Sequence, residues 1–118
     1  MSWEIRITDE AKKDFKKIEG SIRAQVLAGI IKVSKAPLPS PNGYGKPLGN
    51  KKGNHLTGFF KIKYRGIGMR VVYTLVIDKM VMNIVVISQR DDNACYELAA
   101  KLYDKYGDDI FSDIFSEF

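Results

Sequence analysis

A chain of 118 residues has room for one domain with a modest hydrophobic core and is too short for two. Its 45% hydrophobic and 28% charged residues fit a folded chain rather than a disordered one, and no apolar run approaches the roughly 20 residues of a membrane span. A lone Cys95 and a lone His55 exclude an internal disulfide and any nuclease built on a pair of histidines.

Charge is informative once it is located. The chain holds 19 Lys and Arg against 14 Asp and Glu. Four of those acids (Asp108, Asp109, Asp113 and Glu117) fall in residues 107–118, which carry no base. Between Lys46 and Arg90 stand nine bases and a single acid, Asp78. Such a concentration is the footprint of a polyanion binder, although a solubilising surface has the same composition. Sparse carboxylates in this segment argue against a two-metal nuclease, which needs them clustered.

In chain order, Trp3 to Ile7 alternates apolar and polar residues as a half-buried strand does. The charged start of the chain does not read as a signal peptide, and the setting expected is cytoplasmic. Thr8 or Asp9 then caps a helix whose apolar face is Ala11, Phe15 and Ile18, with lysines toward its end. Gly20-Ser21 stops it, and Ser21 caps a second helix to about Ala36 with the stripe Ile22, Val26, Ile30 and Val33. The short link predicts an antiparallel helical hairpin. Residues 37–55 read as a long polar loop, rich in proline and glycine. Strands are expected over Leu56 to Tyr64, Met69 to Ile77 and Met80 to Ser88, and a last helix, capped by Asp91 or Asp92, over Asn93 to Tyr106. The order β-α-α-β-β-β-α predicts an α+β fold, a helical hairpin on a small, mainly antiparallel four-stranded sheet with a C-terminal helix.

Strand alternation puts Lys61, Lys63 and Arg65 on one face and Phe60, Ile62 and Tyr64 on the other. If the apolar face packs on the helices, the cationic face is open. Arg70 opens the next strand, Arg90 follows the third, and Tyr96 lies on the first turns of the last helix. Clustered ammonium groups disfavour one another's charge, which moves a lysine toward accepting a proton. Arginines grip phosphate oxygens bidentately, and a phenol can hydrogen-bond a ribose or stack on a base. These are the parts needed for a ribose 2′-OH to attack the adjacent phosphate without a metal or cofactor, since positive charge offsets that developing on the phosphorane. The plain alternative is a solvated strand face. His55 reads as a surface residue, Cys95 as a small buried one, and Trp3, Phe15 and Tyr73 as packing residues.

The stretch Phe60-Lys-Ile-Lys-Tyr-Arg-Gly-Ile-Gly-Met-Arg70-Val-Val-Tyr73, followed by Val86-Ile-Ser-Gln-Arg90 and Tyr96, resembles the RelE branch of the RelE/ParE toxin superfamily. The Ala11-Lys-Lys-Asp-Phe helix, the helix ending in Pro37 and Lys46-Pro-Leu48 are similar to it too, so the resemblance spans about residues 3 to 105. It implies a RelE-like fold and the toxin of a type II toxin–antitoxin pair, cleaving mRNA in the ribosomal A site. By the same resemblance, Lys61 and Lys63 stabilise the transition state and help to activate the 2′-OH. Arg70 holds the scissile phosphate, Arg90 assists the leaving 5′-oxygen, and Tyr96 orients the substrate. Arg65 matches a further basic position, assigned to RNA contact. Apart from the resemblance, the loop from Pro37 to His55 is long, and its basic tip, Lys51 and Lys52, is expected to contact ribosomal RNA. The partner implied is a cognate antitoxin that masks the basic face. Two other readings share these residues: a gyrase-directed toxin of the same fold, and an RNA-binding module without catalysis.

Residues 1–106 are expected to form the toxin domain and residues 107–118 an acidic, aromatic extension. Ile110, Phe111, Ile114, Phe115 and Phe118 have helical spacing. That predicts a short helix on its own domain or in a partner's groove, with its acids able to lie over the basic face.

Overall fold

The computed structural model describes residues 2–51, 53–89 and 91–118, the side chains of Asn50, Lys51 and Asn54 excepted. The elements are β1 (Glu4–Ile7), α1 (Asp9–Lys16), α2 (Gly20–Ser34), β2 (Lys46–Lys51), β3 (Asn54–Tyr64), β4 (Met69–Val76), β5 (Val81–Ser88), α3 (Asp92–Tyr106) and β6 (Ser116–Glu117). No helix among the described residues is long and apolar enough to cross a membrane. The α+β class is as expected, but the sheet has six strands, in the order β2-β3-β4-β5-β1-β6. β1 runs parallel to β5, and the other pairings are antiparallel.

The two extra strands lie where the sequence suggests loop or helix. β2 falls within the expected polar loop and carries Pro47 and Gly49, with a register shift between them. A proline cannot donate to a ladder, but β2 is an edge strand, where one missing donor costs little. β6 pairs with β1 and closes the other edge.

The central strands β4 and β5 are buried almost throughout. Alternation along β4 feeds two cores, one on each face. Met69, Val71, Tyr73 and Leu75 pack with Trp3, Ala11, Val26 and Ile30 beneath α1 and α2, and Phe60, Ile62 and Tyr64 join them. Val72 packs on the other face with Leu48, Leu56, Phe59, Cys95, Tyr96 and Ala99 of α3. The Tyr73 hydroxyl, fully buried, donates to the Pro37 carbonyl at 2.9 Å, so Tyr73 is a packing residue, as alternation implies.

Local chemistry fixes the helix starts. Thr8 caps α1: its hydroxyl accepts from the Ala11 amide at 3.1 Å and donates to the Val85 carbonyl at 3.1 Å, tying helix to sheet. The α2 cap is Glu19 rather than Ser21; its carboxylate accepts the Ser21 hydroxyl, and the amides of Ser21 and Ile22 at 3.0 and 3.3 Å, and these bonds, the hydroxyl's first, hold its pKa below the usual value. Asp91 caps α3 through the Ala94 amide at 2.8 Å. The carboxylate of Glu10 on α1 meets Lys105 and Tyr106 at the end of α3. Partial burial raises the Glu10 pKa, but those two hydrogen bonds prevail and lower it.

α2 comes close to β3 at one point. The Tyr64 hydroxyl donates to the Val26 carbonyl at 2.6 Å, and a Cβ on Gly29 would overlap the Tyr64 ring. Gly29→Ala is therefore expected to cost about 1–3 kcal/mol of stability, as overpacking does, read as a lower urea midpoint. Trimming the ring in Gly29→Ala/Tyr64→Leu relieves the overlap, so the double variant loses less than the two single losses added together.

Residues 107–118 do not form the expected α-helix. Gly107 ends α3 at φ 59°, a conformation that favours glycine, and a single 3-10 turn spans Gly107–Phe111. Ile110 and Phe115 are buried in the α3-side core, with Phe111 against the Phe59 and Tyr103 rings. The Ile110 carbonyl accepts the buried Thr74 hydroxyl at 2.6 Å and the Asn83 amide at 3.1 Å. That amide also reaches the Ser112 carbonyl at 2.9 Å. The segment thus packs on its own domain, as an extended strap.

Candidate active site

The site begins with the β3–β4 register. Lys63 stands directly opposite Arg70, and Arg70 opposite Ser88 of β5. Two positions along, Lys46 of β2 stands opposite Lys61, and Lys61 opposite Val72. Directly opposed residues share a sheet face, so two rows of cations cross one face. It is the face that carries α3, which corrects the expectation of an open one. Phe59, on this face of β3, is covered by α3 and the strap. Lys61 and Lys63 continue that face to the rim, where the N-terminus of α3 meets them.

The helix delivers two groups to the cations. Asp92, its first residue, pairs with the Arg70 guanidinium through Nε and with the Lys63 ammonium at 3.7 Å. Tyr96, four residues on and so on the same side of the helix, is buried with its hydroxyl 3.2 Å from the Lys61 ammonium. That ammonium is 5.9 Å from the Tyr96 ring centroid, within cation–π range. The hydrogen bond from Arg70 lowers the Asp92 pKa against a smaller opposing effect of burial, and the charges of Arg70, Lys63 and Lys61 add to the lowering.

Of the candidates named from sequence, Lys61, Lys63, Arg70 and Tyr96 come together. Arg65 is exposed in the turn after β3. Lys51 ends β2, with its side chain outside the described set, and Lys52 and Arg90 lie outside the described residues. Two neighbours of the cluster are not evident from sequence. Lys46, opposite Lys61 in register, falls in a segment that reads as loop, although the alternation Lys46-Pro47-Leu48 carries a strand signal. Asp92 reads only as a possible helix cap, and nothing local to it points to Arg70.

Cys95, fully buried beside this cluster, has its thiol pushed up to about 11 by burial, which suits a packing residue and not a nucleophile. His55 is exposed on β3. Among the described residues no three His, Cys, Asp or Glu side chains gather as a metal site would need. Among the described residues, Asp108 and Asp113 of the strap do not lie over Lys61, Lys63 and Arg70. The partners described for Asp113 and Asp108 are Lys79, at 3.3 Å, and the Tyr103 hydroxyl, at 3.3 Å. Lys79 sits at the opposite end of the β4–β5 hairpin from Arg70.

A strand, two helices and an antiparallel meander closed by a helix make up the fold of the RelE-like toxins. The chain resembles that superfamily in both sequence and structure. It is 24% identical to the mRNA interferase toxin RelE of Escherichia coli K12 over 101 residues, 86% of this chain and 97% of that protein. The isolated E. coli RelE toxin superposes with a TM-score of 0.61 at 21% identity, over 86% of this chain and 98% of its own. The RelBE2 toxin–antitoxin complex of Mycobacterium tuberculosis contains a chain that matches with a TM-score of 0.61 at 25% identity, over 78% and 95% of the two chains. No family model matches the sequence.

Proposed function

We propose that the protein is the toxin of a type II toxin–antitoxin pair and an endoribonuclease that cuts mRNA in the ribosomal A site. The observation that carries this reading is the convergence of Lys61, Lys63, Arg70 and Tyr96 on one rim of the sheet. In the reaction the 2′-oxygen forms a bond to the adjacent phosphorus and the bond from phosphorus to the 5′-oxygen breaks. The products are a 2′,3′-cyclic phosphate and a 5′-hydroxyl. Arg70 holds the phosphate, and the charges of Lys61 and Lys63 offset that building on the phosphorane oxygens. One of the two lysines, in its neutral form, takes the 2′-OH proton, and the leaving 5′-oxygen takes a proton from solvent water to become the 5′-hydroxyl. Tyr96, fixed by Lys61, orients the ribose or base. Arg90, two residues past β5, is assigned by the resemblance to the leaving 5′-oxygen, as electrostatic support rather than as an acid, since a guanidinium does not give up its proton readily. Lys51, Lys52 and Arg65 are assigned to RNA contact.

The reading places the protein in the cytoplasm with its ribosomes. Its second partner is an antitoxin, by likeness to the complexed RelBE2 toxin. The test is chemical. A ribosome-bound message with 2′-deoxyribose at the cut position stays intact, and an all-ribose message yields ends that carry a 2′,3′-cyclic phosphate. Cleavage of the deoxy message, or a free 3′-hydroxyl end, refutes the mechanism.

A further inference from the structure

The carboxylate of Asp92 lies between two cations to which the proposed reaction assigns the phosphate. Arg70 and Lys63, opposed in register, would repel each other with nothing between them. Asp92 bridges them, taking Arg70 Nε on one oxygen and the Lys63 ammonium, at 3.7 Å, near the other. A compact oxyanion held by a guanidinium and an ammonium is the arrangement in which such groups bind a phosphodiester. The carboxylate does not depend on this position to start the helix, because Asp91 provides the cap. The Asp92 and Lys63 side chains are each 37% exposed, so an incoming anion can reach them.

We propose that Asp92 is an internal stand-in for the RNA phosphate, a counterion that substrate must displace from Arg70 and Lys63. The inference rests on the proposed RNA-cleaving function of the same cluster. Asp92 holds the two cations close and aimed at one point while the site is free. The same contact sets a threshold on affinity: a phosphodiester that engages Arg70 must compete with a covalently tethered anion. Weak RNA gains little against such a competitor, whereas RNA held by further contacts elsewhere, as on a ribosome, displaces it. The cost is the same for every RNA that engages Arg70, so loosely held free message falls below occupancy while tightly presented message stays bound.

The test uses the full chain and a single-stranded RNA whose riboses are all 2′-O-methylated, which cannot be cut by 2′-OH attack, with binding followed by fluorescence anisotropy at fixed salt. Asp92→Asn is expected to bind roughly fivefold tighter, the scale of removing one charge about 4 Å away in a water-like dielectric. Asp91→Asn makes the same change in net charge one residue away and keeps a capping side chain; it is expected to give a clearly smaller gain. Equal gains for the two variants, or no gain for Asp92→Asn, would overturn the proposal. Weaker binding by Asp92→Asn overturns it too, and makes Asp92 a positioning residue for Arg70. Thermal melts of each variant check that the fold is kept. Arg70→Ala separates this inference from the function beneath it. If that change leaves binding untouched, the phosphate seat itself is refuted. If it weakens binding while Asp92→Asn brings no gain, the counterion role alone falls.

Discussion

Arg70→Ala is expected to slow mRNA cleavage by roughly 100-fold or more, the usual scale for removing one preorganised charge from a developing oxyanion, while the protein keeps its fold. Arg70 is held by the centre of the sheet. β4 pairs on both sides, with Lys63 and Ser88 directly across, and the arginine side chain is 21% exposed. Alanine removes the bidentate donor and leaves the backbone ladder intact. The pair it forms with Asp92 lies at the rim, so its loss costs at most about 1 kcal/mol of stability. Arg70→Lys is expected to restore only a small part of the rate, because an ammonium keeps the charge but not the planar fork. Cleavage of a translated message, read by primer extension beside a thermal melt of each variant, checks both statements. Full activity in Arg70→Ala would move the phosphate seat elsewhere.

Removing residues 108–118 is expected to leave a chain that melts at least about 15 °C lower or without a cooperative transition. The strap buries Ile110 and Phe115 and packs Phe111 on Phe59 and Tyr103, and each large apolar side chain taken from water contributes about 1.5–3 kcal/mol. Its carbonyls also serve the Thr74 hydroxyl and the Asn83 amide, both buried. Leaving a buried polar group unpaired costs about 1–3 kcal/mol. These losses together are comparable with the roughly 5–15 kcal/mol that holds a whole domain folded. Circular dichroism melts of the full and shortened chains decide the matter. Equal midpoints would mean that the strap is only an accessory.

The contrast between Phe60, Ile62, Tyr64 and Lys61, Lys63 was legible from period-2 alternation, and the structure keeps each set on its own face. Which face α3 returns to was not legible. It depends on where Leu48, Phe59, Val72 and Ala99 meet, and no local pattern records that. β2 was hidden because Pro47 and Gly49 are turn residues by composition, and only the edge position makes them tolerable in a strand. The apolar spacing of residues 110–118 fits a helix, but Gly107 turns the backbone away and Thr74 and Asn83 capture the carbonyls a helix would use itself. Asp92 shows the same limit at the site. Its meaning comes from Arg70, 22 positions away in sequence, so the acid reads as a cap until the sheet and the helix are placed together.

The most direct test of the central claim is primer extension on one mRNA, incubated with the protein in the presence and absence of translating ribosomes, with Arg70→Ala beside the unaltered chain. Cuts within codons that need ribosomes and vanish with Arg70→Ala are the result predicted. Growth arrest on expression without any cut would contradict it, and would make the cations around Asp92 a binding surface, as in a gyrase-directed toxin of the same fold.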